Sequence, residues 1–194
     1  MPMMLDGYYA GIAYATGYTA LDKKQQYLVI RNLDDWYVKC FENISKYKAY
    51  QSLHKLERDR KPQWCIKARD INCIPQLAEV KSLNDFCRAY IEIHGILDMA
   101  TSKNRRGEYF KKPRLRIYGS EEIMTFLNNN LPAMPKKIQY IKNNVDDKYI
   151  GQTCALYYQS SEEISAILRW IDGDLRNEKI WAKWNNLLCL NEKE

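Results

Sequence analysis

An α+β fold, built from two pseudo-symmetric αββαββα repeats and closed by a C-terminal helix, is what this sequence predicts. Three observations carry that prediction. Apolar periodicity alternates between helical and strand spacing in the same order twice along the chain. Matching residues recur at shifts that grow only in loop-sized steps: Gly17 to Gly95 by 78, Ile30 to Ile117 by 87, and Cys65 to Cys154 by 89. No Pro- or Ser-rich linker parts the two halves, so they are expected to share an interface. The boundaries follow as residues 1–81, 82–172 and a helical extension at 173–194.

In order, residues 5–15 form a helix rich in small residues, 17–22 the first strand and 27–31 (YLVIR) the second. Asp34 and Asp35 open an amphipathic helix that runs to about Ser45, with Trp36, Val38, Cys40, Phe41 and Ile44 as its apolar content. A hairpin follows, 50–56 and 63–69 (QWCIKAR) around a charged turn, then a short helix near 75–81. The order then repeats. Ser82 is the N-cap candidate for a helix to residue 93, with Asp85 at its third position. Strands at 96–103 and 114–118 (RLRIY) flank a basic loop. Ser120 caps a helix over 121–130, whose first turn carries Glu121 and Glu122 as the helix dipole prefers. Residues 137–142 and 152–158 pair as a second hairpin. Ser160 or Ser161 opens a helix to 171, and 174–190 adds another, with Trp181, Trp184, Leu187 and Leu188 on or near one face.

Composition narrows the function classes. Of 194 residues, 46% are hydrophobic, enough for a core, which excludes wholesale disorder. No apolar run approaches the ~20 residues of a membrane span, and MPMMLDGYY carries no basic stretch ahead of an apolar one. A soluble protein of the cell interior, cytoplasmic in its host, is expected. The net charge of +6 permits a polyanion partner. With 15 Tyr and 5 Trp against 4 Phe, the aromatics favour amphipathic positions at helix ends, sheet faces and interfaces. The six cysteines contain no C-x-x-C pair, so a structural zinc site is not expected and the thiols read as reduced. His54 and His94 sit in no nucleophile motif, and the glycines form neither a P-loop nor a dinucleotide fingerprint.

Two nonamers stand at equivalent points of the repeats: YAGIAYATG at 9–17 and CRAYIEIHG at 87–95. Matching strand–helix segments follow them, PRLRIYGSEEIMTFLNNN at 113–130 and ALYYQSSEEISAILRWI at 155–171. Over residues 5–172 these resemble the LAGLIDADG homing endonucleases in their single-chain, two-repeat form. The motif has a physical reason, since two helices whose backbones nearly touch need small residues at the contact. Ala10, Gly11, Ala15 and Gly17 supply them in the first copy, and Ala89 and Gly95 in the second, where Arg88 and Ile93 are bulkier.

The resemblance implies a saddle-like sheet surface on double-stranded DNA and an acidic residue at the penultimate position of each motif, where the pair holds divalent metal. Here those positions are Thr16 and His94, neither of which carries a permanent negative charge. Catalytic residues, a metal site and a cofactor are therefore not expected. The reading that follows is a catalytically silent, monomeric, double-stranded DNA-binding protein, of the kind a phage or other mobile element would carry as a regulator. Lys67, Arg69, Arg114 and Arg116 on strands, with Lys103, Arg105, Arg106, Lys111 and Lys112 in the basic loop, are its DNA-binding candidates. In the alternative of an active or weakly active endonuclease, Glu92, Asp98 and Asp22 are the displaced carboxylates and Mg²⁺ the cofactor. In a third reading the fold is a protein-binding inhibitor of a host enzyme, anchored by the tyrosines and by Trp181 and Trp184.

Overall fold

The computed structural model describes residues 4–52, 61–141 and 153–191. The chain packs as two compact units, Met1–Tyr90 and Ile91–Glu194. In the first, α1 (Gly7–Thr16) leads into β1 (Gly17–Asp22), β2 (Gln25–Asn32), α2 (Asp35–Cys40), β3 (Tyr50–Ser52) and β4 (Gln63–Ala68). The division falls inside α3 (Leu83–His94). The second unit continues with β5 (Gly95–Lys103), β6 (Tyr109–Gly119), α4 (Glu121–Asn130), β7 (Gln139–Tyr140), β8 (Cys154–Tyr158), α5 (Ser161–Ile171) and α6 (Glu178–Asn191). Each unit holds a four-stranded antiparallel sheet, in the orders β1-β2-β4-β3 and β5-β6-β8-β7. The α+β two-repeat architecture is thus present, with its C-terminal helix.

Gly17 pairs with Ile30 and Gly95 with Ile117, so two of the three sequence matches are register matches. The third is corrected. Ile30 faces Ile66 and Ile117 faces Leu156, a shift of 90, which makes Ala155 rather than Cys154 the counterpart of Cys65. A one-residue difference in a strand exchanges the faces.

Helix ends explain most boundaries. Asp34 accepts from the Trp36 amide at 3.0 Å and starts α2. That helix stops at Cys40, short of Ser45, and relaxes into a 3-10 turn at Phe41–Asn43. Ser45 turns its hydroxyl to Asp70 at 2.7 Å, and Glu42 takes the Ala49 amide at 2.7 Å, so the local polar groups favour an exit over continued helix. The short helix expected near 75–81 is a single 3-10 turn, Leu77–Glu79. Ser120 sits at its N-cap without a side-chain capping bond, whereas Ser160 accepts from the Glu163 amide. Residues 53–56, 142 and 152 of the expected hairpin strands lie outside the described residues.

α1 is buried nearly all round, which suits a helix of small residues in a core. It runs against the first turns of α3. A Cβ on Gly11 would stand 2.7 Å from the Ala89 Cβ and closer still to the Phe86 carbonyl oxygen. Arg88, only 2% exposed, is accommodated by Asp85 and by the Tyr8 ring, 5.6 Å from its guanidinium. Asp6 accepts from the Gly7, Lys81 and Ser82 amides and so ties both helix starts together. Gly17 and Gly95 do something else. In each, a Cβ would strike a carbonyl of the helix just ended, that of Ala13 or Ile91. Both glycines let a helix pass straight into a strand.

Candidate nucleic-acid interface

Antiparallel register decides which side chains share a face. In the first unit Leu28, Ile30, Ile66 and Ala68 are fully buried on the helix side of the sheet. The outward face carries Tyr18, Ala20 and Asp22 on β1, Gln25, Tyr27, Val29 and Arg31 on β2, and Cys65 and Lys67 on β4. Arg69, just past β4, reaches Asp22 at 2.9 Å and lies 5.2 Å from the Tyr27 ring. Beneath these cations Tyr27, Val29 and Cys65 form a small apolar cluster with Ala20 against it. Tyr50, opposite Cys65, has its hydroxyl pushed up to about 12 by burial and by its hydrogen bond with that thiol.

In the second unit Leu97, Leu115, Ile117, Leu156 and Tyr158 turn inward. Outward stand Ile96, Asp98 and Ala100 on β5, Lys112, Arg114, Arg116 and Tyr118 on β6, and Ala155 and Tyr157 on β8. The expected alternation of Arg114 and Arg116 against Leu115 and Ile117 is present. Asp98 accepts from Arg114 Nε at 3.0 Å and Nη2 at 2.9 Å, and from Arg116 Nη2 at 2.5 Å. Arg116 Nη1 reaches the Tyr118 hydroxyl at 3.2 Å, and its Nε is buried without a hydrogen-bond partner. The Arg114 hydrogen bond holds the Asp98 carboxyl below its usual range, against some desolvation.

Register makes the two faces comparable position by position. Ala20, Tyr27 and Val29 of the first unit stand where Asp98, Arg114 and Arg116 stand in the second. One repeat fills this place with apolar side chains, the other with a carboxylate between two guanidiniums. Each outward face still presents three cations and one carboxylate among the described residues: Arg31, Lys67, Arg69 and Asp22 in one, Lys112, Arg114, Arg116 and Asp98 in the other.

The remaining candidates fall as follows. Lys103, Arg105 and Arg106 are exposed at the β5–β6 hairpin, as expected of a basic loop. Lys111 and Lys112 are not in that loop. They belong to β6, which begins at Tyr109, and only Lys112 shares the arginines' face. Sequence reasoning passes over Arg31, whose parity puts it on the Lys67 face, because the apolar run YLVI masks the alternation. It also passes over Lys23 and Lys24, the two positive-φ residues of the tight β1–β2 turn, where Asn-Gly is the usual choice.

The displaced carboxylates are all engaged. Glu92, 4% exposed, accepts from Trp181 Nε1 at 2.6 Å and from the Asn177 amide at 3.3 Å, fastening the start of α6. Asp22 is held by Arg69 and Asp98 by two arginines. Thr16 donates its hydroxyl to the Arg31 carbonyl. A two-metal phosphodiester site asks for converging oxygen anions, and among the described residues no three His, Cys, Asp or Glu side chains converge as a metal-holding group. The motif positions themselves offer a hydroxyl and an imidazole, Thr16 and His94, in place of the hard anionic pair that a Mg²⁺ centre of that type uses. Trp181 and Trp184, 4% and 3% exposed, pack 5.5 Å apart within the second unit, so the proposed protein-binding anchors are core residues.

No helix of the described residues is long and apolar enough to cross a membrane. By sequence, neither a protein-family model nor a curated protein matches the chain. By structure it matches single-chain LAGLIDADG homing endonucleases over nearly its whole length. I-LtrWI bound to target DNA superposes with a TM-score of 0.63 at 7% identity, covering 96% of this chain and 90% of that one. The meganuclease I-AabMI bound to uncleaved DNA gives 0.62 at 10% identity, covering 97% and 92%. I-SmaMI bound to cleaved DNA gives 0.57 at 8% identity, covering 97% and 90%. At such identity the likeness is one of fold.

Proposed function

We propose that this chain binds double-stranded DNA through the outward faces of its two sheets and does not cut it by the two-metal route. The observation that carries the reading is the pairing of Asp22 and Asp98 with arginines on those faces, on a fold whose solved neighbours are held on DNA. Carboxylates placed there serve to orient guanidiniums. Lys103, Arg105 and Arg106 meet phosphates from the hairpin, with Lys67, Arg69 and Lys112 alongside, while strand arginines address base edges. A protein of this kind acts in the cell interior as a regulator carried by a mobile element, as a monomer whose two unlike faces favour an asymmetric target.

The test is fluorescence anisotropy with random-sequence duplex across 50–200 mM salt, alongside incubation with supercoiled DNA and Mg²⁺ or Mn²⁺. With six phosphate contacts, affinity falls about a thousand-fold over that range, and no nicking is expected with either metal. Salt-insensitive or absent binding sinks the DNA reading. Metal-dependent nicking retained in a Thr16→Ala/His94→Ala protein would favour the displaced carboxylates instead.

A further inference from the structure

We infer that Arg114 reads a guanine in the major groove, with Asp98 and Arg116 as the residues that position it, and that the first repeat has no counterpart. The inference rests on the DNA-binding reading and deepens it. An arginine recognises guanine by giving two parallel N–H bonds to O6 and N7, and the contact is strong only when the fork is already oriented. Arg114 gives its Nε and Nη2 to the two oxygens of Asp98, a side-on pair. That geometry spends one edge of the guanidinium and leaves the end-on edge, Nη1 with the second Nη2 hydrogen, uncommitted among the described residues. The side chain keeps 29% of its surface open.

Arg116 is placed differently. Its Nη2 goes to Asp98 and its Nη1 to the Tyr118 hydroxyl, while its Nε is buried. Each of its outer nitrogens already gives one hydrogen bond and its Nε faces no acceptor, so it buttresses the carboxylate that holds Arg114. The two cations around Asp98 keep it ionised and therefore fixed as a double acceptor. In the first repeat the same three positions are Ala20, Tyr27 and Val29, which offer no fork. Arg69 there is exposed at the strand end and joined to Asp22 through one nitrogen, at 2.9 Å, which suits a phosphate contact more than a bidentate one. Guanine reading by a carboxylate-oriented fork of this kind therefore falls in the half of the target that meets the second repeat.

The experiment is selection of bound duplexes from a randomised pool with the full chain and with Arg114→Lys, Arg114→Gln, Asp98→Asn and Lys67→Gln. The unaltered protein is expected to return a guanine in one half of its site, preferred by roughly 5- to 150-fold. Arg114→Lys and Arg114→Gln lose that preference, Asp98→Asn broadens it, and Lys67→Gln weakens all sequences alike. A readout on the DNA side is 7-deazaguanine at the selected position, which removes the N7 acceptor. The unaltered protein should lose roughly 2- to 12-fold in affinity, the worth of one hydrogen bond, and Arg114→Gln should be indifferent. A guanine preference that survives in Arg114→Gln, or full affinity for 7-deazaguanine, overturns the assignment while leaving DNA binding intact. Absence of any duplex binding overturns the assignment together with the reading beneath it.

Discussion

The packing of α1 against α3 offers the sharpest test of how this fold is held. Gly11→Ala adds one methyl group where there is no room. Its carbon would lie 2.7 Å from the Ala89 Cβ, against an optimal separation of about 3.5–4.0 Å, and nearer still to the Phe86 carbonyl oxygen. Phe86 and Ala89 are both fully buried, so neither can swing aside. One helix must move by roughly 0.8 Å or more, and an obstacle of backbone puts the cost near the upper end of overpacking, about 3 kcal/mol. Alanine's better helix propensity returns about 1 kcal/mol. The net destabilisation is about 2 kcal/mol, or about 4–8 °C in Tm for a chain of this size. Urea denaturation followed by circular dichroism measures it, with an unchanged m-value as the sign that the folded state alone was altered. Ala89→Gly introduced in the same chain should recover part of the stability beyond additivity, because it removes one of the two obstacles. A Gly11→Ala protein as stable as the original, or more so, refutes the close-approach argument.

Three further outcomes are expected. Glu92→Ala leaves the Trp181 indole and the Asn177 amide without their buried acceptor, at about 2–4 kcal/mol. A red shift in tryptophan fluorescence and faster hydrogen exchange in α6 would register it. Asp98 has a native pKa depressed chiefly by Arg114, so its contribution is full above the unfolded value near 3.9 and is lost as pH falls through the lowered native value. Asp98→Asn should therefore flatten the acid limb of a Tm-against-pH curve, and an unchanged limb would contradict the pairing. Neutralising Lys103, Arg105 and Arg106 to Gln should reduce the slope of log affinity against log salt by about 0.9 for each phosphate that the hairpin no longer neutralises, without changing which sequence is preferred.

Much of the fold is legible because it is written in periods and junctions. The nonamers, the recurring order and the Gly17 and Gly95 matches all survive as register. The misreadings have physical reasons. Cys65 and Cys154 match by residue type, although strand pairing turns these two to opposite faces. Lys111 and Lys112 resemble loop because their neighbours are charged, yet β6 extends through them as a hairpin arm. The site is harder to read. Asp98 and Arg114 are 16 residues apart, and only the β5–β6 register puts them opposite each other. Glu92 carries no sign of its partner 89 residues onward, since nothing local to α3 specifies where α6 docks. The tryptophans of α6 likewise bury rather than present themselves, a choice made by tertiary packing.

The glycine junctions bear on how such a chain tolerates insertions and deletions. α1 becomes β1 at Gly17 and α3 becomes β5 at Gly95 with no intervening residue. One residue inserted there has no slack to occupy. It would push the strand forward by one, sending Tyr18, Ala20 and Asp22 to the helix side and bringing Thr19 and Leu21 out. The two copies differ by nine residues between the junction glycine and its strand partner, 13 positions in one and 22 in the other, and the whole excess sits in the longer arms and turn of the β5–β6 hairpin. Between the two copies, length differs at the tip of the hairpin and not at its junction with the helix.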